Sequence, residues 1–292
     1  MYSILIIASL LAALLWVFID SVSKVFIKKL GRQKSATLIV SAGIIPAAIA
    51  VAIVGLPGMG LVELAELVVA AAVAGAALFA GFATVYKSVG KAGVANSYML
   101  VELQPPLLII FSLVALSEHL SMLQLLSIVL IFTGVAFVAV TKNLRISRNL
   151  LPSVIGNVLW ASYWIVAVTF MAYLKEYALL MLLIRVFAAV FALAYYGSRS
   201  AGGAKVRLRS KNIIPIAIIA LVLIAGLADG TGNILFAFVS FNHKLAVASA
   251  ILTIEPIAVW LVGVALYKEK ITKFQKLGFA IATIGYIALS LA

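Results

Sequence analysis

Long runs of apolar residues, separated by short polar gaps, make up most of the chain. The runs are ~20 residues long, which is the length an α-helix needs to cross the hydrocarbon core of a bilayer. They lack the alternation of apolar and polar residues that is typical of a membrane β-barrel. We therefore predict an all-α integral membrane protein with ten transmembrane helices, whose ends are defined to about 2–4 residues. The helices cover roughly 3–22, 35–55, 67–86, 94–116, 122–141, 150–173, 178–197, 213–236, 246–266 and 274–291.

The gaps between the runs are too short to hold a soluble domain. The longest gap, 197–212, is rich in Gly, Ser and basic residues, which predicts a flexible solvated loop between the seventh and eighth helices. The first run follows only Met1, Tyr2 and Ser3, without the positive residues that precede the apolar core of a secretory signal. We interpret it as a retained transmembrane helix.

Composition narrows the class of protein further. Hydrophobic residues make up 65% of the 292 residues and charged residues 11%, whereas ordinary soluble domains have ~25% charged residues. This balance excludes a disordered chain and leaves too little polar surface for a soluble enzyme. The chain has no Cys, so disulfides, thiolate metal sites and Cys nucleophiles are excluded.

The net charge of +13 is carried mainly by the gaps, where it indicates topology and contacts with lipid headgroups rather than nucleic-acid binding. The odd-numbered gaps hold 19 of the 22 Lys and Arg residues, and the even-numbered gaps hold only Lys175 and Lys244. The positive-inside rule then predicts that the odd-numbered gaps are cytosolic and that both termini lie outside. The corresponding location is the plasma or inner membrane.

The two halves of the chain repeat each other. At an offset of 151 residues, Gly, Pro, Glu and Gln positions coincide, which is harder to obtain by chance than a match of Leu with Leu. The matched pairs are Gly81 and Gly232, Pro105 and Pro256, Glu118 and Glu269, Gln124 and Gln275, Gly134 and Gly285, and, at an offset of 144, Trp16 and Trp160. We predict two five-helix units, 1–145 and 146–292. Because five is odd, the second unit inserts inverted relative to the first, as in many secondary transporters.

These residues also carry a resemblance to a known family. The stretches 94–138 and 247–289 resemble the second half of an EamA-type repeat of the drug/metabolite transporter superfamily. The shared features are the Pro of the fourth and ninth helices, the following Glu, the late Gly, the early Trp and Arg185. The resemblance implies ten helices in two inverted repeats around a central substrate cavity. It does not imply one substrate, because the superfamily moves many classes of metabolite.

The resemblance and the charge pattern imply opposite orientations. Typical members carry basic residues after the second helix, and both of their termini are cytosolic. Here that gap, 56–66, has no basic residue. An inverted-repeat fold packs similarly either way up, so we follow the charge pattern.

Five ionisable residues fall within or at the ends of predicted helices, where each costs ~2.5–3.5 kcal/mol on insertion scales. Glu102, Arg185, Asp229 and Glu255 lie deep in their helices, which makes them candidates for the functional site. Asp20 lies near a predicted helix end beside Lys24, so we expect its side chain to reach the interface instead.

Glu255 and Glu102 are the first candidates for coupling or substrate binding. Glu255 directly precedes Pro256, and the matching pair in the first repeat is Gln104 and Pro105. A Pro inside a helix frees a backbone carbonyl and kinks the helix. A carboxylate beside such a turn can bind a cation or a proton, and the alternative is a protonated acid in a structural hydrogen bond between helices.

Asp229 and Asn233 lie one turn apart and share a helix face, close in predicted depth to Arg185. An ion pair between Arg185 and Asp229 and a site for a substrate carboxylate fit the sequence equally well. The glycines of the segment 226–232 allow close packing of helices. Aromatic residues can supply the walls of a cavity, although Trp and Tyr are also common at membrane interfaces. The best wall candidates are Trp16 and Trp160, and further ones are Tyr163, Trp164 and Trp260.

These features favour a secondary transporter of a small polar or zwitterionic metabolite, with protons as a candidate coupling ion. The alternative is an intramembrane enzyme or lipid-handling protein that uses the buried carboxylates, although no catalytic motif is present. We predict no cofactor and no metal site, since His119 and His243 are the only histidines and lie apart. The expected partners are the substrate and membrane lipids, with no nucleic acid, and the protein is expected to be a monomer or homodimer.

Overall fold

The computed structural model describes residues 2–99, 103–115, 121–139, 148–201, 215–242 and 254–291, together with 245, 249 and 252. Helices are the only regular secondary structure in this part of the chain. They are α1 Tyr2–Leu30, α2 Arg32–Ala42, α3 Ile44–Val54, α4 Leu61–Ala92, α5 Val94–Met99, α6 Gln104–Ala115, α7 Met122–Ala139, α8 Leu151–Leu174, α9 Ala178–Ala201, α10 Ile216–Asn242, α11 Ile254–Ala265 and α12 Lys273–Leu291.

Within the described residues, six helical stretches are long and apolar enough to cross a bilayer. They are Ile7–Leu30, Arg32–Val54, Leu61–Ala92, Leu151–Leu174, Ala178–Ser198 and Ile216–Asn242. Two shorter apolar helical stretches, Gln104–Ala115 and Leu125–Gly134, fall in the predicted fourth and fifth segments. The total of ten membrane crossings remains a prediction.

The outer surface of the bundle is apolar. Ile53, Val114 and Ile216 are at least 80% exposed, and many other large aliphatic side chains are exposed as well. Water does not favour such a surface, but the acyl chains of a bilayer do. The most buried side chains instead lie between α1, α4, α8, α9 and α10, where they form the main core.

Several helices run further than the apolar pattern predicted. α1 continues to Leu30, so Lys24, Lys28 and Lys29 lie on its last turns rather than in a loop. α4 extends to both sides of the predicted 67–86. Lys is a good helix former, so polarity alone does not end a helix. Gly31 and Gly93 have positive φ angles of 83° and 91°, and they mark the ends of α1 and α4.

Glycines bring the two halves of the chain into close contact in reciprocal pairs. A Cβ atom at Gly81 of α4 would overlap the Trp160 indole of α8, and one at Gly232 of α10 would meet the Trp16 indole of α1. These are the glycines and tryptophans that match in the sequence repeat. Each half therefore supplies a glycine that receives the tryptophan of the other half.

Two further pairs of contacts follow the same exchange. Gly75 of α4 lies against the backbone of α9 at Ile184, and Gly226 of α10 lies against the backbone of α2 at Ile39. Gly134 of α7 lies against Ala282 of α12, while Gly285 of α12 lies against Ile131 of α7. Helices in lipid associate largely through such small residues, because lipid supplies no hydrophobic force between them.

The fourth predicted helix is not one continuous element. α5 ends at Met99, Leu103 adopts 3₁₀ geometry, and α6 begins at Gln104. Pro105 therefore occupies the first turn of α6, where its missing N–H leaves no hydrogen bond unmade. Pro256 is the third residue of α11 as described, and residue 253 before this helix lies outside the described residues. The predicted kink at Pro256 remains a prediction.

Candidate functional site

A small cavity lies where α1, α4, α6, α8, α10 and α11 meet. Its volume is about 60 Å³, which is well below the ~300–1,000 Å³ of typical ligand pockets. The lining residues are Trp16, Ile19, Asp20, Leu78, Phe82, Gln104, Pro105, Trp160, Tyr163, Trp164, Asp229, Asn233, Leu252 and Glu255. Both halves of the chain contribute, so the cavity lies at their interface.

Three carboxylates face this cavity: Asp20 from α1, Asp229 from α10 and Glu255 from α11. Asp20 is only 6% exposed. The carboxyl groups of Asp20 and Glu255 are close enough to interact directly, and Asp229 is within electrostatic range of both. The expectation that Asp20 reaches the interface is therefore wrong. Because α1 runs on to Leu30, Asp20 lies well inside the helix rather than at its end.

Two tyrosines bring buried hydroxyl groups to Asp20. Tyr98 of α5 and Tyr86 of α4 are at most 1% exposed. Tyr98 lies directly beside the Asp20 carboxyl. Neither hydroxyl has a hydrogen-bond partner of normal geometry among the described residues. A buried hydroxyl without a partner costs about 1–3 kcal/mol, so both groups retain unused hydrogen-bonding capacity at the site.

Asp229 is held in a hydrogen-bonded network on the other side of the cavity. Arg185 of α9 lies with Nη1 2.5 Å from Oδ2 of Asp229, and its Nη2 donates to the Asp229 carbonyl at 3.4 Å. Asn233 Nδ2 lies 3.1 Å from Asp229 Oδ1. The Tyr163 hydroxyl donates to Asn233 Oδ1 at 2.8 Å. Of the two interpretations of Arg185 and Asp229, the structure contains the ion pair.

Arg185 is 1% exposed and does not line the cavity. The break between α2 and α3 makes room for it, because a Cβ atom at Gly43 would lie 2.8 Å from Arg185 Nη1. The guanidinium group is thus enclosed by backbone and by Asp229. Among the charged lining residues, it pairs with Asp229.

Aromatic rings form much of the cavity wall. Four of the five wall candidates, Trp16, Trp160, Tyr163 and Trp164, line it. Phe236 packs against two of these rings. Its ring centroid lies 5.8 Å from that of Trp16 and 4.5 Å from that of Trp164. The fifth candidate is placed elsewhere.

Trp260 packs away from this cavity. Its ring stacks on Phe279 of α12 at a centroid distance of 3.8 Å, in a second apolar cluster around Ile131 and Ala282. Trp260 is therefore a packing residue between α11 and α12. The sequence pattern of its helix could not distinguish the cavity wall from the contact with α12, because both surroundings are apolar.

The first repeat contributes Gln104 and Pro105 to the cavity. They lie in the wall together with Glu255, as the match between the repeats suggested. Glu102 lies outside the described residues. So do Glu118, His119 and His243.

A second polar cluster, which we call the Glu269 anchor, joins the two halves one helical turn from Asp20. Glu269 accepts hydrogen bonds from Lys24 Nζ at 2.6 Å and from the backbone N–H groups of Val94 and Ala95 at 2.9 Å. It therefore caps α5 and pairs with α1. The positive φ angle of Gly93 leaves the N–H groups of Val94 and Ala95 facing the Glu269 carboxylate.

Tyr267 completes the Glu269 anchor. Its hydroxyl donates to the Ser21 carbonyl of α1 at 2.6 Å, and Lys24 Nζ lies 4.9 Å above its ring. Partial burial, helped by the nearby Glu269 carboxylate, raises the pKa of Tyr267 above its usual value, so the hydroxyl stays a donor at neutral pH. Residues in or beside the first, third and ninth gaps between the predicted helices therefore meet at one end of the bundle.

Comparison with known proteins identifies the family. Residues 3–140 match the EamA-like transporter family. This match places the first half of the chain in the drug/metabolite transporter superfamily. Together with the six long apolar helices, it supports the predicted all-α, multi-pass membrane protein. The matched family is one of membrane transporters.

The fold of the chain resembles that of a solved structure over nearly its whole length. That structure, described only as "Crystal structure of protein", has a TM-score of 0.62 and 15% sequence identity, covering 99% of this chain and 97% of that chain. This likeness extends the fold through the second half, which the family match does not cover. Among curated proteins, none matches the chain.

Sequence analysis missed Asp20 and Tyr98 as parts of the site. The signal for Asp20 was available: it follows Trp16 by four residues, so the two share a helix face. Tyr98 had no comparable signal, because its place beside Asp20 depends on how α5 packs on α1. In the part of the chain that the structure describes, no group of three His, Cys, Asp or Glu residues is placed to hold a metal ion.

Proposed function

We propose that this protein is a secondary transporter that moves a small polar metabolite across the membrane by alternating access. The observation that carries the proposal is a buried cavity between the two halves, lined by carboxylates and aromatic rings. Secondary transporters bind substrate near the bilayer midplane, at the interface of their repeats. The energetic cost of burying Asp20 and Glu255 is accounted for if they bind a substrate or a coupling ion.

The proposal includes two inverted five-helix repeats, 1–145 and 146–292. The reciprocal contacts of Gly81 with Trp160 and of Gly232 with Trp16 support it. In a two-fold relation, residue i of one half meets residue j of the other, and the matching j meets the matching i. Because each half has an odd number of predicted crossings, the two-fold axis would lie in the membrane plane.

Alternating access requires contacts that form in one state and break in another. The Glu269 anchor fits this role, because it joins α1, α5 and the segment after α11 beside the cavity. We propose that it closes this end of the transporter in the present conformation. Release of Glu269 would let the halves rock apart around Asp20.

Protons are the proposed coupling ion. Asp20 and Glu255 are close enough for their carboxyl groups to interact, and two like charges at such a distance do not both ionise readily. A proton shared between them would leave when a substrate enters. Glu102 of the first repeat stays a second candidate for the same role.

Ligand binding and uptake by the purified protein test this function. The first step is a thermal-stability screen against amines, amino acids, sugars and nucleosides, in which a ligand raises Tm with its concentration. The ligand found is then offered to proteoliposomes. We expect uptake well above that of protein-free liposomes. A ligand that binds tightly but enters both kinds of liposome at the same rate would refute a transport function.

A further inference from the structure

We propose that the cavity recognises an ammonium group, so that the substrate is an organic cation rather than a zwitterion or an anion. The inference rests on the proposed transport function and specifies its substrate class. Three observations support it: the charges of Asp20 and Glu255 are not neutralised by a lining cation, a buried hydroxyl beside Asp20 is unused, and aromatic rings form the walls.

The charges around the cavity do not balance without a bound cation or proton. Of the three lining carboxylates, Asp229 is neutralised by Arg185. Asp20 and Glu255 face each other, and no Lys, Arg or His is among the lining residues that the structure describes. The cation nearest to Asp20 along α1 is Lys24, and Glu269 already pairs with it. A positive group between the two carboxylates would remove their repulsion.

Unused hydrogen-bonding groups at the same place point to a donor-rich ligand. The hydroxyl of Tyr98 is buried, lies beside the Asp20 carboxyl and has no hydrogen-bond partner of normal geometry among the described residues. A primary ammonium group carries three N–H donors and no acceptor. Asp20 and Glu255 line the cavity and offer carboxylate oxygens to those donors, and Tyr98, beside Asp20 but outside the lining residues, offers a third acceptor. The Tyr98 observation is independent of the carboxylates and comes from a different helix.

The walls of the cavity suit the remainder of such a ligand. Indole rings of Trp16, Trp160 and Trp164 line it. Trp is the best aromatic partner of a cation, and the interaction is strongest in a desolvated site. The volume of about 60 Å³ holds a head group of a few heavy atoms in this conformation. The rest of a larger substrate would require the cavity to open.

Among the described residues that line this site, a substrate carboxylate would find no cationic partner. Arg185 is 1% exposed, lies behind Asp229 and is enclosed on the other side by Gly43. An anionic group in the cavity would meet Asp20 and Glu255 instead, and repulsion would oppose its binding. The ion pair thus explains why the buried arginine does not make this an anion site.

A charge series of small probes tests the proposal. Propylammonium is titrated against the wild-type protein in detergent, alongside propanol, propionate, β-alanine and sodium ion at the same ionic strength. We expect propylammonium to raise Tm in proportion to its saturation of the site. Propanol and propionate should have no effect, and β-alanine and sodium should have at least about tenfold weaker effects. Stabilisation by propionate, or equal stabilisation by β-alanine or sodium, would overturn the assignment.

Two variants locate the effect. Asp20→Asn and Glu255→Gln should each weaken propylammonium binding about tenfold or more, which is the usual loss for a charge-assisted hydrogen bond. Glu63→Gln removes an equal charge from the exposed start of α4 and should leave binding unchanged. Unchanged binding in Asp20→Asn and Glu255→Gln would contradict the proposal. If either variant fails to fold, the wild-type charge series alone decides.

This binding measurement is separate from transport. A protein that binds propylammonium through Asp20 and Glu255 but fails to carry any cation across a membrane would contradict the proposed function and leave the ammonium site standing. A protein that transports a sugar or an anionic metabolite, without binding propylammonium, would contradict the ammonium site alone.

Discussion

At the scale of single residues, the cavity combines one neutralised carboxylate with two unneutralised ones. The Asp229 carboxylate accepts hydrogen bonds from Arg185 and from Asn233 of its own helix. The carboxyl groups of Asp20 and Glu255 lie close to each other. Beside Asp20 lies the Tyr98 hydroxyl, which has no hydrogen-bond partner of normal geometry among the described residues. We interpret the first arrangement as structural and the second as functional, because a site that binds and releases a ligand must keep some of its polar groups available.

Removing Arg185 tests the structural half of this division. Arg185→Met should destabilise the protein by about 3–5 kcal/mol, because Asp229 would remain as a buried charge without a partner. The double variant Arg185→Met with Asp229→Asn should recover a large part of that loss. Thermal or denaturant unfolding in detergent measures both. Equal stability of the single and double variants would show that the ion pair does not hold Asp229.

Gly81 tests the contact between the repeats. Gly81→Ala should destabilise the protein by about 1–3 kcal/mol, because its methyl group would overlap the Trp160 indole. Gly90 lies in the same helix with open space around it, so Gly90→Ala is the matched control. It should be neutral or stabilising by about 1 kcal/mol from helix propensity. A neutral Gly81→Ala would mean that the two helices do not pack as closely as described.

At the scale of elements, helix lengths follow from glycine positions as much as from the apolar runs. The apolar pattern placed a helix in every region where the structure describes one. It did not predict that α1 continues to Leu30 and includes basic residues. Nor did it predict that α5 and α6 are two helices rather than one. Those features depend on capping contacts such as Glu269 with Val94, which join residues far apart in sequence. A pattern read along the chain contains no information about them.

The Glu269 anchor predicts local protection of α5. Glu269→Gln keeps an acceptor but loses the charge that pairs with Lys24 and the start of α5. We expect faster hydrogen exchange at the N–H groups of Val94 and Ala95, with little change in the exchange of α8. Lys270→Gln, a neutralisation at the exposed neighbouring position, is the control and should leave α5 unchanged. Equal exchange in both variants would remove Glu269 from the proposed closing contact.

At the scale of the whole molecule, the sequence repeat predicted more than the fold class. Matched Gly and Trp positions became reciprocal contacts, and Gln104 and Glu255 lie in the same cavity wall. Asp20 was misplaced because its helix was predicted to end at about residue 22. The unused hydroxyl of Tyr98 could not be predicted, since it results from packing between three helices. Repeats therefore locate the interface, while the chemistry of the interface requires the structure.

Orientation is the other prediction at this scale. The excess of Lys and Arg in the odd-numbered gaps predicts a cytosolic loop at 197–212. A Cys introduced as Gly202→Cys in this otherwise Cys-free chain should therefore react with a membrane-permeant thiol reagent only. Labelling of intact cells by an impermeant reagent would place the loop outside and would favour the orientation that the family implies.

The central claim is that Asp20 and Glu255 carry transport rather than stability. Its most direct test is the accumulation of the identified substrate by proteoliposomes under an imposed pH gradient, compared between wild type and Glu255→Gln. This change keeps shape and hydrogen-bonding reach but removes the titratable charge. We predict that the variant folds with near wild-type Tm, loses accumulation against a gradient and has a flattened pH dependence of uptake. An unchanged uptake rate together with an unchanged pH profile would make Glu255 a packing residue and contradict the account.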